Sequence, residues 1–130
     1  MVSIADWSHE TVLVAEPVSP GLARDFVGQH LDAHHLMHLV EDVCLVVSEL
    51  ATNAVAHAQT PFIVTLSSAN GLVLLAIQDD SAAVPVRSAV NLTEMGGRGL
   101  LIVERLSQEW GTSTDVGGFK SVWASFSERP

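Results

Sequence analysis

The hydrophobic patterning of this chain predicts an α+β fold. The expected architecture is a two-layer sandwich, with a mixed, mostly antiparallel sheet covered on one face by about three helices. Three observations carry that expectation. Residues 36–58 keep a 3.6-residue apolar period through Leu39, Val43, Val46, Val47, Leu50 and Ala54, long enough for a dominant helix. Residues 62–68 alternate apolar and polar side chains, and the apolar run 72–78 follows across Asn70-Gly71, a pair suited to a two-residue hairpin turn. A second pair of strand-like runs, 110–116 and 119–126, meets at Gly117-Gly118.

The remaining elements fit between these. Residues 11–15 read as a first strand. Ser19-Pro20 suits a helix start, Ser as a cap and Pro in the first turn. Leu22, Phe26, Val27 and Leu31 then recur at helical spacing, and Pro61 closes the long helix that follows. Residues 79–98 show no period and contain Pro85 and Gly96-Gly97; so long an irregular stretch in a small chain is expected to be functional or disordered. Helical character returns at 99–106. The expected order is strand, two helices, hairpin, loop, helix, hairpin. With 130 residues and no repeat or break in composition, residues 1–130 are expected to form one domain.

Charge narrows the function. Six basic residues stand against fifteen acidic ones, a formal net charge of -9. Such a surface repels phosphate backbones, which argues against direct binding to nucleic acid. A bound nucleotide would need its charge met locally, by a metal ion, backbone N–H groups or a few Arg and Lys side chains. No apolar run approaches the roughly 18 residues of a membrane helix. The opening residues 1–6 lack the basic segment and apolar stretch of a secretory signal, and Cys44 has no second cysteine to pair with. A cytoplasmic location, with no membrane partner, is the expectation.

Three stretches carry candidate chemistry. Glu49, Asn53 and His57 lie at i, i+4 and i+8 of the long helix and so share one face. A carboxylate can accept a proton, an amide oxygen can ligate magnesium, and an imidazole can donate to an anion. The plain alternative is a solvated helix face. Asp79-Asp80-Ser81 follows an apolar strand, where a carboxylate could accept a hydrogen bond from the amino group of a base; the alternative is a turn. Gly96-Gly97-Arg98-Gly99-Leu100 precedes a helix. Its glycines would let backbone approach phosphates, and the helix would aim N–H groups at them, although an ordinary loop has the same composition.

These elements, in this order, resemble the Bergerat-fold ATPases, the superfamily of gyrase B, the sensor histidine kinases and the anti-sigma-factor serine kinases. Glu49-Leu50-Ala51-Thr52-Asn53-Ala54-Val55-Ala56-His57-Ala58 looks like their N box. Asp79 falls where their adenine-binding aspartate lies. Gly97-Arg98-Gly99-Leu100 resembles their second glycine box, and the stretch from Gly118 through Ser121 to Trp123 resembles their terminal strand, where a Ser or Thr near the adenine aspartate is usual. The small size is similar to the anti-sigma kinases of partner-switching systems and their actinobacterial relatives.

The resemblance implies ATP and magnesium as ligands. Glu49 would be general base on an acceptor serine, Asn53 the magnesium ligand and Asp79 the reader of adenine. His57, Gly97, Arg98, Gly99, Leu100 and Ser121 would complete the nucleotide site. The implied partners are a sigma factor, a small anti-sigma-factor antagonist protein, or both; association into a homodimer stays open. One departure is plain: the first glycine box, normally Asp-x-Gly-x-Gly, reads Asp79-Asp80-Ser81-Ala82-Ala83, so the pocket is expected to be altered and nucleotide affinity lowered.

Two function classes follow: an ATP-dependent serine/threonine kinase of the anti-sigma type, or a partner-binding module that keeps the fold without catalysis. A metal sensor built on His30, His34, His35 and His38 is a remote third, since no Cys or Glu completes the set at a convincing spacing. Those histidines are expected to be solvated, Cys44 to be a small buried hydrophobe, and Trp7, Trp110 and Trp123 to be core or edge residues.

Overall fold

The computed structural model describes residues 5–79, 97–114 and 117–130, with the backbone alone for 97–100. Its elements, in chain order, are β1 (Trp7–Leu13), α1 (Ser19–Ala33), α2 (Met37–His57), β2 (Phe62–Ala69), β3 (Leu72–Asp79), α3 (Gly97–Leu106), β4 (Glu109–Thr114) and β5 (Lys120–Ser127). The strands form one sheet in the order β1-β2-β3-β5-β4. This is the expected α+β sandwich. Every strand pair is antiparallel, in line with the mostly antiparallel sheet expected. The reason lies in the connections: β2–β3 and β4–β5 are hairpins, and the α1–α2 pair returns the chain to run β2 against β1.

The turns follow from local sequence. Asn70 and Gly71 both take positive φ, 56° and 80°, as a two-residue turn of the primed type requires. α1 ends in a left-handed residue, His35 at φ 61°. The Leu36 N–H donates to the Leu31 carbonyl at 2.8 Å and the His35 N–H to the Asp32 carbonyl at 3.0 Å, which is the Schellman pattern. Leu31 and Leu36 are both buried, supplying its apolar contact. At the other end, Ser19 does not cap. Val18 is the N-cap residue, Pro20 sits in the first turn, and the Ser19 hydroxyl donates to the Val14 carbonyl at 2.5 Å. That bond pins the β1–α1 link instead.

The core lies between the helices and one sheet face. α2 contributes Val43, Val46, Val47 and Leu50; β2, β3 and β5 contribute Phe62, Val64, Leu66, Val73, Leu75, Ile77, Ala124 and Phe126. α1 adds Val27 and Leu31, and α3 adds Val103. Burial alternates along β2 and β3, so among the described residues one face of the sheet is the more deeply covered. Trp7, Trp110 and Cys44 are half-buried and pack against this core. Among the described residues, no helix is long and apolar enough to cross a membrane.

Candidate functional site

The site is set by where α2 ends and which sheet residues point at it. α2 keeps its apolar stripe on the sheet, and its last two turns run past the ends of β3 and β5. There Leu50, Asn53, Ala54, His57 and Ala58 from the helix face Ile77, Asp79, Lys120 and Val122 from the strands. They line a small, narrow cleft that opens to solvent. The lining is apolar with a few convergent polar groups, the usual composition of a site that must orient a ligand.

Strand parity decides the sheet side. In the β3–β5 ladder Ile77 pairs with Val122 and Asp79 with Lys120, so all four share the core face. Asp79 is only 6% exposed. A carboxylate so buried must be met by hydrogen bonds or an opposite charge. Lys120 supplies charge of the right sign. Burial lowers the Lys120 pKa, and the charge of Asp79 pulls it back up. On the helix side, the His57 Nε2 atom is buried and has no hydrogen-bond partner among the described residues. Leaving such an atom unmet costs on the order of 1–3 kcal/mol, which a bound acceptor or donor would relieve.

The structure brings Asn53, His57 and Asp79 into the lining of one cleft. Glu49 sits one turn before Asn53 on the same stripe, half-buried, and lies outside the lining of the pocket. Gly97, Arg98, Gly99 and Leu100 form the first turn of α3, which packs against α2. Ser81 and Ala83, the altered glycine positions, lie outside the described residues. Ser121 is a correction. It pairs with Gln78 and Ser113, one residue out of step with Asp79, and therefore belongs to the other sheet face and not to the pocket.

Lys120 was the residue that sequence reasoning missed. Its position could have been found from parity alone: Val122, Ala124 and Phe126 mark the buried face of β5, and residue 120 continues that series toward Asp79.

The donor set fits a magnesium-bound nucleotide. Asn53 offers an amide oxygen of the kind magnesium accepts, Asp79 a buried acceptor for a base amino group, and His57 an unmet ring nitrogen for an anion or sugar.

Elsewhere, the histidines divide. His35 and His38 are exposed, but His30 and His34 are half-buried, contrary to the solvated cluster expected. They pack against His9 and Trp7 of β1. Among the described residues, no three His, Cys, Asp or Glu side chains converge in metal-holding geometry. A second, wider cleft lies on the other flank of α2, lined by Pro17, Val18, Arg24, Ser48, Thr52 and Val55 among others. The Arg24 guanidinium donates to the Ser48 hydroxyl across it at 2.9 Å.

A long helix packed on an antiparallel sheet, with a polar-tipped cleft between them, defines an α+β domain with a candidate ligand site. The family model of the histidine kinase-like ATPase domain matches residues 13–126, and the chain belongs to that family. Membership implies ATP binding. A comparison with curated proteins gives no match.

Proposed function

We propose that this chain is an ATP-binding regulatory protein of the anti-sigma-factor type, a serine/threonine kinase acting on a small antagonist protein in a partner-switching system. The observation that carries the reading is the convergence of Asn53, His57 and the buried Asp79 on one pocket. Asp79 accepts a hydrogen bond from the base. Asn53 holds magnesium, which supplies charge neutralisation to the phosphates when bound. Gly97, Arg98, Gly99 and Leu100, at the start of α3, present backbone N–H groups to the phosphate end.

Phosphoryl transfer then needs a proton acceptor near the incoming hydroxyl. Glu49 is one helical turn from Asn53 on the same face, and lying outside the pocket lining suits a residue that meets a protein substrate rather than the nucleotide. Its carboxylate accepts the proton of the partner's serine hydroxyl. The serine oxygen–phosphorus bond forms, the γ-phosphorus–bridging-oxygen bond breaks, and ADP leaves. A sigma factor is the second partner in this reading, and the chain acts in the cytoplasm.

The rival reading, a partner-binding module without catalysis, is favoured by one observation: the strand partner of Asp79, lining the same cleft, is a lysine, Lys120. Incubating the protein with radiolabelled ATP, magnesium and a co-purifying small partner separates the two. Label on a partner serine is expected. Stable ATP binding with no transfer to any partner leaves the module reading in place.

A further inference from the structure

An array of rings joins β1 to the helical layer. β1 is an edge strand, paired with β2 alone, and none of its seven residues is fully buried. Two of its inward-facing side chains, Trp7 and His9, meet α1 directly. The Nε2 atoms of His9 and His34 are 2.9 Å apart, within hydrogen-bond distance. Trp7 stacks on His34 with centroids 4.0 Å apart, and His30 stacks on His9 at 3.9 Å. Three imidazoles therefore share one seam. Around them, Leu66, opposite His9 on β2, is apolar, and Ser68, opposite Trp7, donates its hydroxyl to Glu128. Glu10 points to the other sheet face by parity. Asp32, two residues from both His30 and His34, is exposed on another side of α1.

We propose that the His9–His34 pair is a proton-operated latch, which closes β1 onto α1 while one ring is neutral and which acid opens, freeing the edge strand while the rest of the sheet stays folded. A hydrogen bond between two imidazoles needs one of them to accept, and an imidazolium cannot. Acidification through the ordinary histidine range turns the bond into two like charges in contact, with His30 as a third ring beside them. The break is local because β1 has little else to hold it. The fully buried side chains sit on α1, α2, α3, β2, β3 and β5, and α1 packs far more extensively on α2 than on β1. A segment with few buried contacts opens at well below the cost of global unfolding. Release uncovers the outer backbone edge of β2, a template with which another strand can pair. The latch does not depend on what the cleft binds.

The test is hydrogen exchange of the intact protein at about pH 7.5 and about pH 5.5, either side of the ordinary histidine pKa. Protection is read by mass spectrometry on peptides covering residues 7–13 and 62–79, after correction for the intrinsic exchange rate at each pH. Protection of the β1 amides should fall about tenfold in acid, the scale of one lost hydrogen bond with like charges left in contact. Residues 62–79 should stay protected. His34→Gln keeps a neutral hydrogen-bonding group at every pH and should flatten the acid dependence of β1. His34→Lys sets a permanent cation against His9 and should release β1 already at the higher pH. If His34→Gln does not fold, His9→Gln carries the same expectation. Three results overturn the latch. They are β1 protection that acid leaves unchanged, an acid loss that the glutamine variant retains in full, and a loss shared equally by residues 62–79, which is global unfolding.

Discussion

The Nε2 atoms of His9 and His34 stand 2.9 Å apart across the seam between β1 and α1. One ring donates and the other must accept, so the bond exists only while at least one of them is neutral. The rings around them are tightly placed: His34 stacks on Trp7 with centroids 4.0 Å apart, and His30 stacks on His9 at 3.9 Å. His30 also meets the edge of Phe26. Burial, then the charges of His9 and His34, lower the His30 pKa from its ordinary 6.5. A group depressed in the folded state binds fewer protons folded than unfolded in the window beneath 6.5. Stability is therefore complete above that value and declines as pH falls through the window. Thermal melts from about pH 8 to about pH 5 should show Tm falling on the acid side. His30→Gln should flatten the fall. An unchanged acid slope in that variant would assign the loss to other groups.

How much of this was legible beforehand depends on whether the cause was local. α2 was expected at 36–58 and runs Met37–His57, because the stripe that buries it has the period of the helix itself. β1 was expected at 11–15 and runs Trp7–Leu13. Nothing within Trp7-Ser8-His9-Glu10 dictates a strand. Its extent comes from the ladder with β2, from Trp7 opposite Ser68 to Leu13 opposite Phe62. The site divides in the same way. Glu49, Asn53 and His57 share a stripe by spacing alone. Lys120 and Ser121 exchange roles because the pocket reads strand parity across β3 and β5, a long-range relation. His9 joined the histidines for a similar reason, being 25 residues from His34 in sequence.

Gly111 is a packing requirement. It lies opposite Trp123 in the β4–β5 ladder, and a Cβ built there would sit 2.9 Å from Cζ2 and 3.1 Å from Cε2 of that indole. The obstacle is a rigid ring rather than a flexible chain end, so the strand or the ring must shift. Gly111→Ala should destabilise the fold by about 1–3 kcal/mol in urea titration. The contact belongs to the sheet face away from the pocket, so nucleotide affinity of the folded fraction should be unaffected. A variant as stable as the wild type would show that Trp123 has room to move.

His57 separates stability from ligand binding in the opposite sense. Its Nε2 atom is buried without a partner among the described residues. Replacing such a group by an apolar one of similar size removes a desolvation penalty on the order of 1 kcal/mol. His57→Leu should therefore match or exceed the wild-type Tm when no nucleotide is present. The same variant should show a smaller rise in Tm on adding ATP and magnesium, because a ligand stabilises the fold only in proportion to its affinity. A lowered nucleotide-free Tm with an undiminished ATP shift would make His57 a structural residue and remove it from the site.

Glu49 and Asn53 are one turn apart, yet the proposed roles put them on different steps. Asn53 lines the pocket and is assigned to magnesium, so Asn53→Ala should weaken ATP binding when magnesium is present and change it little when the metal is chelated. Glu49 lies outside the lining. As a proton acceptor it contributes in the transition state, so Glu49→Gln should keep ATP affinity and lose phosphotransfer by about 100-fold or more. The glutamine matches the carboxylate in shape and keeps an acceptor oxygen, which confines the change to charge and basicity. Loss of a negative charge one turn from the metal ligand should, if anything, tighten the nucleotide. Direct binding titrations and single-turnover transfer to the partner serine, run on the same preparations, read the two effects independently. Transfer at the wild-type rate by Glu49→Gln with ATP bound would show that Glu49 is not the base. Equal loss of binding in both variants, with or without magnesium, would mean that the stripe acts as one structural unit and that the division of labour along α2 is wrong.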